Sequence, residues 1–221
     1  MKRLFIMAVL AVLVATPAMS ISVVNSKHDM IYGGFATGGG GNTEVCIFCH
    51  TPHAADGTVT QVPLWNNTEV ANVGALYSNT LTMNFTPTAL LADATDARMC
   101  LACHELGLSA NSLVNEPNSG TITTPGVNLM SGDALLSTDL SNDHPIGMDL
   151  TANPENAGGM HNLTDIKSNF GAVDPFPGDI GNDAVNVMWC SSCHDVHDNA
   201  YEPFLRVNNV GSALCKACHI K

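Results

Sequence analysis

The sequence predicts a mostly irregular, loop-rich chain with short α-helices at four cysteine–histidine motifs and a core supplied by bound prosthetic groups. Three observations predict this. Aromatic residues make up only 5% of the 221 residues, against 19 glycines and 11 prolines. Long polar stretches show no sustained apolar period of 2 or 3.6, the marks of a strand and of an amphipathic helix. All 8 cysteines fall into one pentapeptide, Cys-x-x-Cys-His, repeated along the chain. So few large side chains cannot bury enough apolar surface to make a self-sufficient core.

The N-terminus reads as a secretory signal peptide over residues 1–20. Lys2 and Arg3 precede the apolar run Leu4–Val14, and Ala18 and Ser20 stand where leader cleavage requires small residues. The segment is too short and wrongly flanked for a membrane-spanning helix. Residues 21–221 then form a single exported domain, and no later apolar stretch is long enough to span a bilayer. The formal charge is −12, and loss of Lys2 and Arg3 makes the mature chain more acidic still. Nucleic acid is excluded as a partner, because phosphate contacts need lysine and arginine.

The pentapeptides are Cys46-Ile-Phe-Cys49-His50, Cys100-Leu-Ala-Cys103-His104, Cys190-Ser-Ser-Cys193-His194 and Cys215-Lys-Ala-Cys218-His219. Two thiols at this spacing can bond the two vinyl-derived carbons of one porphyrin edge. The adjacent histidine then supplies the proximal nitrogen to the iron, which is the attachment chemistry of c-type haem. Export also permits disulfides, yet a disulfide framework gives no reason for a histidine after every second cysteine. Zinc ribbons pair Cys-x-x-Cys units but do not require that histidine four times. The pattern therefore assigns four haem c groups. Cys46, Cys49, Cys100, Cys103, Cys190, Cys193, Cys215 and Cys218 form the thioethers, and His50, His104, His194 and His219 are the proximal ligands.

Haem pair 1 occupies residues 46–104, a loop-rich connector residues 105–189, and haem pair 2 residues 190–219. Short helices are expected where Thr95–Met99 leads into Cys100–Leu106 and where Gly211–Leu214 leads into Cys215–His219, since both stretches carry capping residues and helix formers. Four stacked porphyrins on about 200 residues form the core, which the polypeptide wraps, ligates and caps.

Five histidines remain for the distal faces: His28, His53, His144, His161 and His197. Four bis-histidine irons would use all but one, and the surplus is a surface residue. Met30, Met83, Met99, Met130, Met148, Met160 and Met188 make Met/His ligation possible at one iron, but the near match of histidine supply to demand favours histidine throughout. His53 follows His50 by three residues, as His197 follows His194. A histidine so placed lies on the proximal side of its own porphyrin, so as a ligand it must serve another haem. Three residues reach at most about 10 Å, which would hold two haems close together. The competing reading for each is a hydrogen bond to a haem propionate.

The chain also repeats itself. Cys46–His53 (CIFCHTPH) and Cys190–His197 (CSSCHDVH) are each followed by one further Cys-x-x-Cys-His, so each half is a haem pair. These motifs resemble the multihaem cytochromes with doubled CXXCH motifs. The resemblance runs through Lys27-His28-Asp29, Cys46–His53, Pro63-Leu64-Trp65-Asn66, Tyr77-Ser78-Asn79-Thr80, Met99–His104, Asp139–Ile146, Cys190–His197, Phe204-Leu205-Arg206 and Leu214–His219. Within that family, four haems on a leader-bearing chain of this size look like the OmcE-type cytochromes that polymerise into extracellular nanowires. The resemblance implies His28, His53, His144 and His197 as distal ligands and leaves His161 as the spare. It further implies that His53 ligates the last haem of a neighbouring subunit, with the second haem of its own chain as the alternative. One departure is Glu105-Leu106 after His104, where Asp-Gly is expected.

The function expected is long-range electron transfer through low-potential bis-histidine haems, without bond-making at any iron, so the chain is a carrier and not an enzyme. Identical subunits in a filament are the expected partners, together with redox-partner cytochromes or an extracellular electron acceptor. The location is outside the cell or on its surface, or alternatively the periplasm. A soluble periplasmic shuttle shares the same ligand logic. A multihaem reductase would need one open iron, against which the histidine count argues. The N-x-[ST] sequons at Asn66, Asn84 and Asn162 carry meaning only in a source that glycosylates its exported proteins.

Overall fold

The structure, a computed structural model, describes residues 23–32, 37–38, 44–55, 64–67, 96–105, 107–108, 113–116, 122–123, 128–129, 131–151, 159–176 and 186–220. Every cysteine and histidine lies within these ranges. The expected signal peptide, Tyr77–Thr80 and Asn84 lie outside them.

Loops dominate, as the composition predicts. The described helices are α1 (Asp96–His104), α2 (Leu163–Asn169), α3 (Cys190–Cys193) and α4 (Ala213–Cys218), with short 3-10 turns at Val45–Phe48, Gly132–Ala134 and Val210–Ser212. The strands are two residues long: β1 (Thr37–Gly38), β2 (Gly107–Leu108), β3 (Ile122–Thr123), β4 (Asn128–Leu129), β5 (Met148–Asp149) and β6 (Val187–Met188). They pair antiparallel as β1 with β3, β2 with β4, and β5 with β6. In the last pair Met148 opposes Met188, just upstream of the third motif.

Three of the four motifs lie on α1, α3 and α4, and the first lies on the turn Val45–Phe48. One helical turn brings two cysteines three residues apart, and the histidine after them, onto one face. The histidine N–H closes that turn onto the first cysteine's carbonyl in His50→Cys46 (2.8 Å), His194→Cys190 (3.0 Å) and His219→Cys215 (2.8 Å).

Helix α2 departs from the expected featureless connector. Asn162 caps it, its Oδ1 accepting from the Asp165 N–H at 2.9 Å, while Ile166 and, just beyond the helix, Phe170 are buried. With seven residues it is too short for a helical period to stand out from sequence.

Among the described residues the buried side chains do not join into one core. Ala97, Leu101, Leu140, Val187 and Trp189 form one cluster. Met148, Leu150, Ile166, Phe170, Phe176, Met188 and Ala217 form another, and Met30 with Phe48, and Trp65, make two smaller ones. Ala102 packs against both tryptophan clusters, so α1 is clasped between Trp65 and Trp189.

Candidate haem sites

A recurring backbone clip holds three of the four motif histidines. Each forms an antiparallel bridge to a distant residue: His50 to Trp65, His194 to Leu205 and His219 to Met160. The hydrogen bonds around each bridge are equivalent. The residue after the histidine donates to the residue before its bridge partner: Thr51→Leu64 (2.9 Å), Asp195→Phe204 (2.8 Å) and Ile220→Gly159 (2.7 Å). The residue after the partner donates to the second cysteine's carbonyl: Asn66→Cys49 (2.9 Å), Arg206→Cys193 (2.9 Å) and His161→Cys218 (2.8 Å). Leu64, Phe204 and Gly159 also share a left-handed backbone, with φ of 59°, 59° and 75°. Two non-glycine residues in that region cost energy, so the surrounding structure must hold them there. His161 thus occupies the position filled by Asn66 and Arg206 in the other two clips.

His104 is held differently. Its carbonyl accepts from the Leu136 N–H at 2.9 Å, and its Nδ1 lies 2.8 Å from the Ala134 carbonyl. His194 Nδ1 lies 2.9 Å from the Pro203 carbonyl, and His144 Nδ1 lies 3.0 Å from that of Pro145. A backbone acceptor at Nδ1 puts the proton there and leaves Nε2 free as a metal ligand.

The second cysteine of each motif is partly buried. Burial pushes the Cys49 thiol up to about 12, with Cys103 and Cys46 adding to the effect. Burial likewise raises Cys103 to about 11, against a lowering contact from the Asn67 amide, which lies 3.6 Å from its sulfur. Cys193 is raised to about 11 by burial and then by Cys190 and Cys215, and Cys218 to about 12 by burial and then by Cys193 and Cys215. The first and second motifs therefore converge, as do the third and fourth.

The histidine rings meet in three pairs. His50 and His197 have centroids 6.3 Å apart and planes 13° apart. His28 and His104 stand 6.1 Å apart at 66°, and His144 and His219 stand 6.3 Å apart at 75°. Each pair joins a motif histidine to one outside that motif. His28 is lowered to about 4, first by burial and then by His104, His194 and His197, so it is neutral, the form that binds metal. Phe204 packs on its ring at 4.4 Å, tying the N-terminal segment to the third motif's clip. His53 and His194 are exposed and stand in none of these ring pairs.

The residues fit haem c. An iron with two imidazoles at about 2 Å, each ring centre about 1.2 Å further back, separates the centroids by about 6.4 Å. The three pairs have that separation, and each lies beside a cysteine pair on a helical turn.

Asn66 is fully buried, its amide donating to the Ile47 and Asn115 carbonyls at 2.7 and 2.9 Å and its Oδ1 accepting from the Asn115 N–H at 2.8 Å. The folded chain therefore cannot be glycosylated there. This tie between the first motif and residues 113–116 has no signal in the sequence.

Residues 182–221 match the family model of the doubled CXXCH motif, over the third and fourth motifs. No curated protein matches the chain. The doubled motif supports a multihaem c-type cytochrome that binds haem c and iron and transfers electrons. Among the described residues no helix is long and apolar enough to cross a membrane.

Proposed function

We propose that the chain carries four haem c groups and passes electrons along them, with imidazole closing both faces of the irons. The observation behind this reading is the ring pairing at 6.1–6.3 Å. Cys46, Cys49 and His50 would hold the first haem with His197 opposite, and Cys100, Cys103 and His104 the second with His28 opposite. Cys215, Cys218 and His219 would hold the fourth, with His144 opposite. The bound group supplies a one-electron ferric–ferrous couple. The protein supplies neutral imidazoles held from behind by backbone carbonyls, which keep substrates off the metal and keep the change in geometry on electron transfer small.

The third haem, on Cys190, Cys193 and His194, takes its distal ligand from outside these pairs. We assign it His53 of a second copy, so that identical subunits assemble into an extracellular filament. The pairing of His219 with His144 moves the target of His53 from the fourth haem to the third. His161 receives no iron, a reading supported by its place in the clip beside Met160. Two copies joined through iron would keep the haem chain continuous across their joint. Redox-partner cytochromes or an extracellular acceptor then exchange electrons with the assembly.

His194 favours a second reading as well, an open third iron in a soluble periplasmic shuttle or a reductase. The ferric electronic spectrum, recorded beside electron micrographs of the native material, separates the two. Filaments with four low-spin haems support the first reading. Monomers with one high-spin haem that binds carbon monoxide when reduced support the second.

A further inference from the structure

We infer that Asp195 is a positioning residue for the first haem: its carboxylate steers the His197 ring and biases the iron that His197 closes towards the ferric state. The inference rests on the His50–His197 pairing proposed above and goes beyond it, because it separates one haem of the set by potential.

Asp195 follows His194 directly, yet its side chain turns to His197. Its Oδ1 accepts from the His197 backbone N–H at 3.0 Å and lies 3.7 Å from His197 Nδ1. The second distance is an electrostatic contact and not a hydrogen bond. The other oxygen, Oδ2, lies 3.7 Å from the Arg206 guanidinium. Arg206 is itself anchored, with Nε donating to the Ser191 carbonyl and the backbone N–H to Cys193 at 2.9 Å. Asp195's own N–H donates to Phe204 at 2.8 Å. The carboxylate is thus held between a ligand ring and a partly buried cation, on an anchored backbone.

The other ligand rings whose Nδ1 contacts are described lack such a carboxylate. His104, His144 and His194 each face a neutral carbonyl. A full negative charge behind a ligand imidazole makes the ring a stronger donor and favours the higher charge on the metal. Arg206 opposes this, but it contacts the oxygen turned away from His197, so the negative end of the pair is the end that faces the ring. Asp195 is about one-third exposed (34%), so solvent screens part of the effect without reversing its sign.

The test is Asp195→Asn, which keeps an oxygen for the His197 N–H and removes the charge. Parallel imidazole planes split the iron's two π orbitals and give a rhombic low-spin resonance, whereas crossed planes leave them nearly degenerate and give a strongly anisotropic one. In a His53→Ala background, where the third iron loses its proposed distal ligand, the first haem can therefore be followed alone in a redox titration monitored by electron paramagnetic resonance of the holoprotein. The midpoint of the rhombic signal should shift upwards in Asp195→Asn, while the anisotropic signals of the other pairs stay in place. Should that variant fail to retain its haems, Arg206→Gln removes the opposing cation and should shift the same midpoint downwards. An unchanged midpoint in both variants, or an equal shift of every signal, overturns the inference and leaves the pairing intact. Absence of any rhombic low-spin signal from the unmodified protein overturns the pairing and the inference together.

Discussion

His197 faces His50 across 6.3 Å with their planes only 13° apart, although 147 positions separate them in sequence. His197 belongs to the loop of the third motif and His50 to the first. This contact and the packing of Phe204 on His28 weld the two halves of the chain. In the ligation proposed here His197 would serve a different haem from the one three residues before it, since it lies on the proximal side of that porphyrin.

Replacing His197 should accordingly affect the first haem and no other. His197→Ala is expected to retain four covalent haems and to convert one from low-spin to high-spin. Loss of the rhombic resonance, with the anisotropic ones unchanged, identifies it. Optical and paramagnetic spectra of the purified variant check both points.

The interplanar angles give a second expectation that needs no mutation. The angles of 66° and 75° at His28–His104 and His144–His219 call for two strongly anisotropic low-spin signals beside one rhombic signal from the 13° pair. Three rhombic signals would contradict the ring geometry.

His53 should govern assembly and the third iron together. His53→Ala is expected to yield soluble protein with four haems, one of them high-spin and reactive with carbon monoxide, that forms no filaments. His161→Ala should leave haem count, spin state and assembly unchanged, because that residue fills a backbone position in the fourth motif's clip. Electron microscopy and carbon monoxide difference spectra read both variants.

Without haem the chain should not fold. Among the described residues the buried side chains form four separate clusters, none large enough for a domain core. Expression without the attachment machinery should give a chain with no cooperative thermal transition by circular dichroism.

The attachment motifs were fully legible in the sequence, because covalent bonding to one porphyrin edge forces cysteines and histidine to be neighbours in the chain. The loop-rich fold was legible for a related reason, since few large side chains and many glycines and prolines leave no other outcome. The histidines outside the motifs could be named from the sequence, but which ring each one meets could not. His28 reaches His104, and His197 reaches His50, through chain paths that no spacing rule describes. The clip at Leu64, Gly159 and Phe204 was invisible because it is made of backbone hydrogen bonds, which carry no side-chain signature. Asn66 looked like a glycosylation sequon and is a buried tie, a difference that only its surroundings reveal.

The number and ligation of the irons carry the whole account. Intact mass combined with near-infrared magnetic circular dichroism of the ferric protein measures both. The expected result is a mass above the processed polypeptide by four haem units and the charge-transfer band of bis-imidazole ligation from at least three irons per chain. Three or fewer haem units, or a methionine–histidine band from any of the His50, His104 or His219 haems, would contradict it.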